Sequence, residues 1–169
     1  MEFKYPTYSI QVSDVTPAAT ATDILNLSGS NTKTIMIKEL ELTADATAAS
    51  VLDFYVYKRT IANTGGTSTS PTIFKYDTDD LDPTSTVLLY SANPTLGGSG
   101  NTLVSATHYA LPAAASTGYP GVPWTQRYGT DGDKYLLLKG ANESIGIGCN
   151  GGTIPAGTIV YIKIVWTEA

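Results

Sequence analysis

The chain has 169 residues, 42% of them hydrophobic and only 15% charged, with a formal net charge of −5. That length suits one domain with a full core, and the charged fraction lies well below the roughly one quarter usual in globular chains. Phosphate-backbone binding needs clustered Lys and Arg, and there is no basic run; an acidic surface is also poorly matched to anionic lipid, so neither nucleic acid nor membrane is expected as a partner.

Thr, Ser, Gly, Asn and Ala fill the space that charges leave, and Thr sits well on a pleated surface. Cys149 is the single cysteine, so no intramolecular disulfide can form. Its thiol is expected to be buried and inert, with an intermolecular bridge as the alternative. The absence of disulfides fits assembly in a reducing cytoplasm. Met1 to Pro6 lacks an apolar signal-peptide core, and no apolar run approaches the roughly 18 residues of a membrane helix.

In chain order the apolar residues alternate in short runs broken by Gly, Pro, Asn and Asp, the pattern of strands. Tyr8, Ile10 and Val12 against Ser9 and Gln11 predict a first strand, and Ile24 to Leu27 a second. Over Thr34 to Leu42, Ile35 and Ile37 share one parity and Leu40 and Leu42 the other. A strand with one buried face changes parity only by inserting a residue, so a bulge is predicted near Lys38-Glu39; partial cover of both faces is the alternative. Val51 to Lys58 is a strong strand with Leu52, Phe54 and Val56 inward and Asp53, Tyr55 and Tyr57 outward.

Arg59 to Thr72 reads as a long irregular loop, of the kind that often carries function. A short Ile73-Phe74-Lys75-Tyr76 segment, a strand over Thr86 to Ser91, a Gly-rich turn over Ala92 to Asn101 and an extended Thr102 to Leu111 follow. Pro112 to Gly129 reads as coil rich in Pro and aromatics. Tyr135 to Lys139 and Ser144 to Cys149 are further strands. The last strand, Thr158 to Thr167, is the most regular, with Val160, Ile162, Ile164 and Trp166 on one face and Tyr161, Lys163 and Thr167 on the other; it is expected mid-sheet. Eight or so strands without repeats predict an all-β fold, a two-sheet antiparallel sandwich of jelly-roll type, as one domain over 1–169. Residues 1–7 are expected either as an extended arm that pairs with an exposed sheet edge or as a frayed terminus.

Candidate chemistry is sparse. A Cys/His zinc site needs more ligands than His108 and Cys149; His108 is expected as a partly exposed structural residue. Asp77-Thr78-Asp79-Asp80-Leu81-Asp82 could offer an oxygen cage to calcium, or be a solvated acidic loop ended by Pro83; the EF-hand pattern is not met. Asp131-Gly132-Asp133 reads as a turn. There is no G-x-S-x-G for a nucleophile, and one histidine gives a triad no support. The five glutamates, Glu2, Glu39, Glu41, Glu143 and Glu168, lie in no aromatic-rich context, although a spatial carboxylate pair needs no motif. Leu96-Gly97-Gly98-Ser99-Gly100 lacks the Lys-Ser/Thr of a phosphate loop and reads as a flexible hairpin. Tyr119, Trp124 and Tyr128 share one loop, either as an interface or as a cap with Trp124 as its plug. No catalytic residue, cofactor or metal ligand is therefore assigned, and the chain is not expected to be an enzyme.

Asp23-Ile24-Leu25-Asn26-Leu27-Ser28-Gly29-Ser30, the strand Ile35 to Leu42, Tyr90-Ser91-Ala92-Asn93-Pro94, Leu137-Leu138-Lys139-Gly140 to Glu143, and Ile164-Val165-Trp166-Thr167-Glu168 together resemble a group of small tailed-phage virion proteins. The resemblance spans most of the chain through short motifs. It implies a β-sandwich or jelly-roll module of the particle. The first role it implies is a capsid decoration, or cement, protein that binds the outer head surface beside the major capsid protein as a trimer or dimer; the second is a tail- or fibre-associated module that binds host glycan or a surface protein. It implies location in the virion after synthesis in the host cytoplasm, and it carries over no functional residue.

Overall fold

The computed structural model describes residues 5–98, 102–113, 122–130, 132 and 134–169. The strands in chain order are β1 (Thr7–Val15), β2 (Asp23–Ser28), β3 (Thr34–Asp45), β4 (Ser50–Arg59), β5 (Thr67–Thr69), β6 (Phe74–Lys75), β7 (Thr86–Ala92), β8 (Thr102–Leu111), β9 (Trp124–Arg127), β10 (Leu136–Lys139), β11 (Ser144–Gly148) and β12 (Ile159–Glu168). No helix occurs among the described residues.

The strands form two six-stranded sheets. Sheet I runs β10-β3-β12-β1-β6, with β9 also paired to β3; sheet II runs β5-β7-β2-β11-β4-β8. Every strand pair is antiparallel, and the inner faces of the two sheets share one core. The fold is the expected all-β, two-sheet sandwich. As its alternation predicts, β12 lies inside sheet I, between β3 and β1. Val160, Ile162, Ile164 and Trp166 are all buried beneath it.

The core follows from period two. Tyr8, Ile10, Leu40, Leu42, Ile162, Ile164 and Trp166 of sheet I meet Leu25, Leu27, Phe54, Val56, Ile145 and Ile147 of sheet II. Burying each such large side chain contributes about 1.5–3 kcal/mol. The Tyr8 and Trp166 rings lie 5.9 Å apart. The Tyr8 hydroxyl donates to the Leu81 carbonyl at 2.7 Å, so a buried polar tip is satisfied.

The predicted bulge is present. Val165 pairs with Glu39 and Trp166 with Ile37, which leaves Lys38 as the extra residue. Ile35 and Ile37 before it and Leu40 and Leu42 after it are all buried, so the inserted residue restores one inward face across the parity change. On the other edge of β3, β10 pairs with Thr34 to Ile37 and β9 with Glu39 to Leu42, so the two short strands lie end to end on either side of the bulge.

Two expectations change. Pro112 to Gly129 is not all coil: Trp124–Arg127 forms β9, because β3 is long enough to offer a free edge beyond β10. At the N-terminus, Thr7 already pairs with Thr167, and the Pro6 carbonyl accepts the Glu168 N–H at 3.1 Å. An arm extending to residue 7 is thus cut short at Pro6; Met1 to Lys4, with Glu2, lie outside the described residues.

The sheets are also tied by polar contacts. Glu168, at the end of β12, accepts hydrogen bonds from the Thr84 and Ser85 amides and hydroxyls at 2.7–3.2 Å and from Trp166 Nε1 at 3.4 Å. Burial raises the carboxyl's pKa, but the Thr84 and Ser85 donors outweigh it and hold it below its ordinary value. The residues that enter β7 of sheet II are therefore fixed to the last strand of sheet I.

Candidate functional site

Part of the outer face of sheet II is covered. Asp23 at the start of β2 and Arg59 at the end of β4 form a bidentate pair, Nε to Oδ2 at 3.0 Å and Nη2 to Oδ1 at 2.5 Å, with both side chains 2% exposed. Asn63 adds a donor to Asp23 Oδ2 at 2.7 Å and accepts the Gly97 N–H at 2.9 Å. Thr64 and Thr95 exchange backbone hydrogen bonds. A Cβ at Gly97 would stand 1.9 Å from the Ile61 carbonyl oxygen, so only glycine permits that approach. The first part of Arg59 to Thr72 is thus a strap pinned over the sheet. Its charge is buried because the carboxylate's lone pairs are filled. Thr67–Thr69 then joins sheet II as edge strand β5, paired with β7. Leu96 to Gly98 belong to the same packed cover rather than to a flexible hairpin; Ser99 and Gly100 lie outside the described residues.

The outer face of sheet I is open. A groove of about 430 Å³ is lined by Lys38, Glu39, Tyr76, Arg127, Tyr128, Gly129, Thr130, Tyr135, Lys163 and Val165. It lies over the bulge. The extra residue there is Lys38, whose carbonyl accepts the Tyr128 N–H at 2.9 Å, and bulges commonly re-aim side chains beside binding sites. Val165, 8% exposed, belongs to its floor. Glu39 is held between Lys163 Nζ and Arg127 Nε, each at 3.0 Å. Hydrogen bonds from Lys163 and then Arg127 hold the Glu39 carboxyl below its ordinary range, and Glu39 in turn raises Lys163.

Three tyrosines border this charged floor. Tyr76, 63% exposed, is fixed through its backbone, with its N–H donated to the Thr7 carbonyl at 2.9 Å. Tyr135, 40% exposed, lays its ring against Gly129. Gly129 has φ +71°, and a Cβ there would meet the ring at 2.2 Å, so both its backbone and the space beside it call for glycine. Tyr128 packs against the core, and its buried hydroxyl has no hydrogen-bond partner among the described residues. Burial pushes that hydroxyl up to about 12.

The sequence candidates fall apart in space. In the Asp77 to Asp82 loop, Asp77 Oδ1 accepts the Asp79 N–H at 3.0 Å, and Lys75 Nζ bonds the Asp80 carbonyl and Asp82 Oδ1, both at 2.8 Å. The loop is organised by a lysine, and among the described residues no three His, Cys, Asp or Glu side chains group to hold a metal ion. His108 is 84% exposed on β8 and pairs through Nδ1 with Asp53 of β4. Cys149 is buried, and burial, then Asp53, pushes its thiol up to about 12, the wrong direction for a nucleophile. It borders a cleft of about 370 Å³ with Asp53, Tyr55 and His108.

Trp124 pairs with Leu42 and packs against the core, the plug reading of that loop; Tyr119 lies outside the described residues. Gly132 is in a turn, while Asp131 and Asp133 lie outside the described residues. Glu41 sits 4.0 Å from Lys163. Glu143 accepts the Lys139 N–H at 2.6 Å and pairs with Lys58.

Sequence reading alone missed the groove because its members come from β3, the ends of β6 and β9, the residue before β10, and β12. Only the parity break at Lys38-Glu39 and the outward Lys163 signalled it. The groove's groups can donate, accept and stack, which suits binding. No known protein family, curated protein or solved structure matches the chain.

Proposed function

We propose that this protein is a non-catalytic structural module of a tailed-phage virion, a decoration protein that binds the outer surface of the head beside the major capsid protein as a homo-oligomer. The observation that carries this reading is an edge of sheet II that has no partner strand among the described residues. Strand β8, Thr102–Leu111, is the terminal strand of its sheet and has ten residues with no Asp, Glu, Lys, Arg or Pro among them. Free-standing proteins blunt such an edge with charge or proline, since its unpaired backbone groups recruit other strands. An edge left plain suits a protein that ends packed against copies or a shell. The residues behind the phage-protein resemblance fit the same reading: Asp23, β3 and Glu168 build the frame.

The test is the copy number of the chain in purified particles, by quantitative mass spectrometry against the major shell protein. A simple shell-wide ratio is the expected result. A few to a dozen copies would place the protein on the tail or a vertex, and none would remove it from the virion. A second reading, a tail-associated module that binds host glycan, is favoured by the open tyrosine-lined groove of sheet I.

A further inference from the structure

We infer that the groove over the Lys38 bulge binds an acidic saccharide, a sugar chain carrying carboxylates. This deepens the glycan-binding reading and rests on it, not on capsid decoration. Two features of the groove select that chemistry. Lys38, Arg127 and Lys163 face a single lining carboxylate, Glu39. Counting Glu41, 4.0 Å from Lys163, the described residues here still leave a small positive excess in a chain of net −5, which favours an anionic ligand at this face. Glu39 bonds Arg127 through Nε alone among the described residues, and Arg127 is 67% exposed. Its remaining N–H donors suit a bidentate carboxylate.

The second feature is the tyrosine border. Exposed Tyr76 and Tyr135 offer apolar ring faces with a polar tip, which match a sugar's C–H face and hydroxyl rim. The groove volume is within the range of small-ligand sites.

The experiment is isothermal titration of the full chain with a hexuronate oligosaccharide, a neutral hexose oligosaccharide of equal length, and inorganic sulfate. The expected result is saturable binding of the hexuronate that weakens with added salt. Arg127→Gln should weaken it about tenfold or more, since a charge-assisted contact is worth that much, and Tyr76→Ala should weaken it through loss of the ring face, while thermal unfolding stays near wild type in both. Equal affinity for the neutral oligosaccharide, lost in the same variants, would keep the glycan reading but overturn the acidic one. Sulfate binding as tightly as hexuronate would make the groove a plain anion site and overturn the inference. Binding of neither oligosaccharide would remove both. Virion copy number is measured separately and bears on none of these outcomes.

Discussion

The two outer faces of this sandwich start from the same grammar, alternating strands with every second residue turned outward, and end in opposite states. Over sheet II, Thr60 to Gly66 and Pro94 to Gly98 are drawn down onto the strands by the buried Asp23–Arg59 pair and by Asn63. Over sheet I, Lys38, Glu39, Glu41 and Lys163 keep partial exposure, and Tyr76 and Tyr135 rise beside them. The same kinds of side chain serve both. An arginine bonded to a carboxylate fastens a strap when it is 2% exposed and stays available at the surface when it is 67% exposed. Burial decides between architecture and contact, because a desolvated charge must be fully partnered whereas a wet one need not be.

The largest effect that would break this contrast is Arg59→Ala. It leaves Asp23 buried without its guanidinium partner, and removal of one member of a buried pair costs about 3–5 kcal/mol. Urea unfolding should show a fall of that size, and limited proteolysis should cut near Ile61. A loss below about 1 kcal/mol would mean that the strap is held by its backbone contacts and that the faces differ less than their geometry suggests.

Next is Glu168→Gln. The carboxylate gathers the Thr84 and Ser85 donors that lead into β7, and loss of charged acceptance there should cost about 1.5–3 kcal/mol. The pH dependence has a definite sign. The folded-state pKa lies below the ordinary 4.5, so the native state binds its proton later than the unfolded chain. The stabilisation is therefore present in full above about pH 4.5 and lost as pH falls through the lowered folded value. Wild-type stability should drop below about pH 4.5, and the Gln variant should drop less over that window.

The fold was more legible in the sequence than the faces were. Period two names the core residues of β1, β4 and β12, and the parity break places the bulge, because these are local consequences of one buried face. Strand β9 was hidden, since Trp124 to Arg127 becomes a strand only when β3 offers its edge. The strap looked like a free loop because its pins, Asp23 and Asn63, lie 36 and 4 residues from Arg59 in opposite directions along the chain. The aromatic cluster read from Tyr119, Trp124 and Tyr128 was a cluster in sequence only: Trp124 turned to the core, and Tyr128 joined Tyr76 and Tyr135 instead.

On sheet I the effects on folding should shrink. Glu39→Gln removes the carboxylate between Lys163 and Arg127. Partly exposed pairs of this kind contribute about 0–1 kcal/mol, screened by salt. A loss of no more than about 1 kcal/mol at low salt, nearly absent at 1 M NaCl, is expected in thermal melts. A loss like that of Arg59→Ala would show that the groove floor is structural after all.

The smallest expected change is in Tyr76→Ala. The ring is 63% exposed, and the residue is held by a backbone hydrogen bond to Thr7 that alanine keeps. Exposed substitutions away from cores, caps and special backbone positions stay within about ±0.5 kcal/mol. Denaturant midpoints should therefore coincide with wild type, while hexuronate binding falls. That pairing is the sharpest form of the contrast, since a residue retained for folding weakens stability when cut and a residue retained for contact does not. If Tyr76→Ala instead unfolded the edge where β6 meets β1, its ring would belong to the frame. The open face would then be smaller than the groove that borders it.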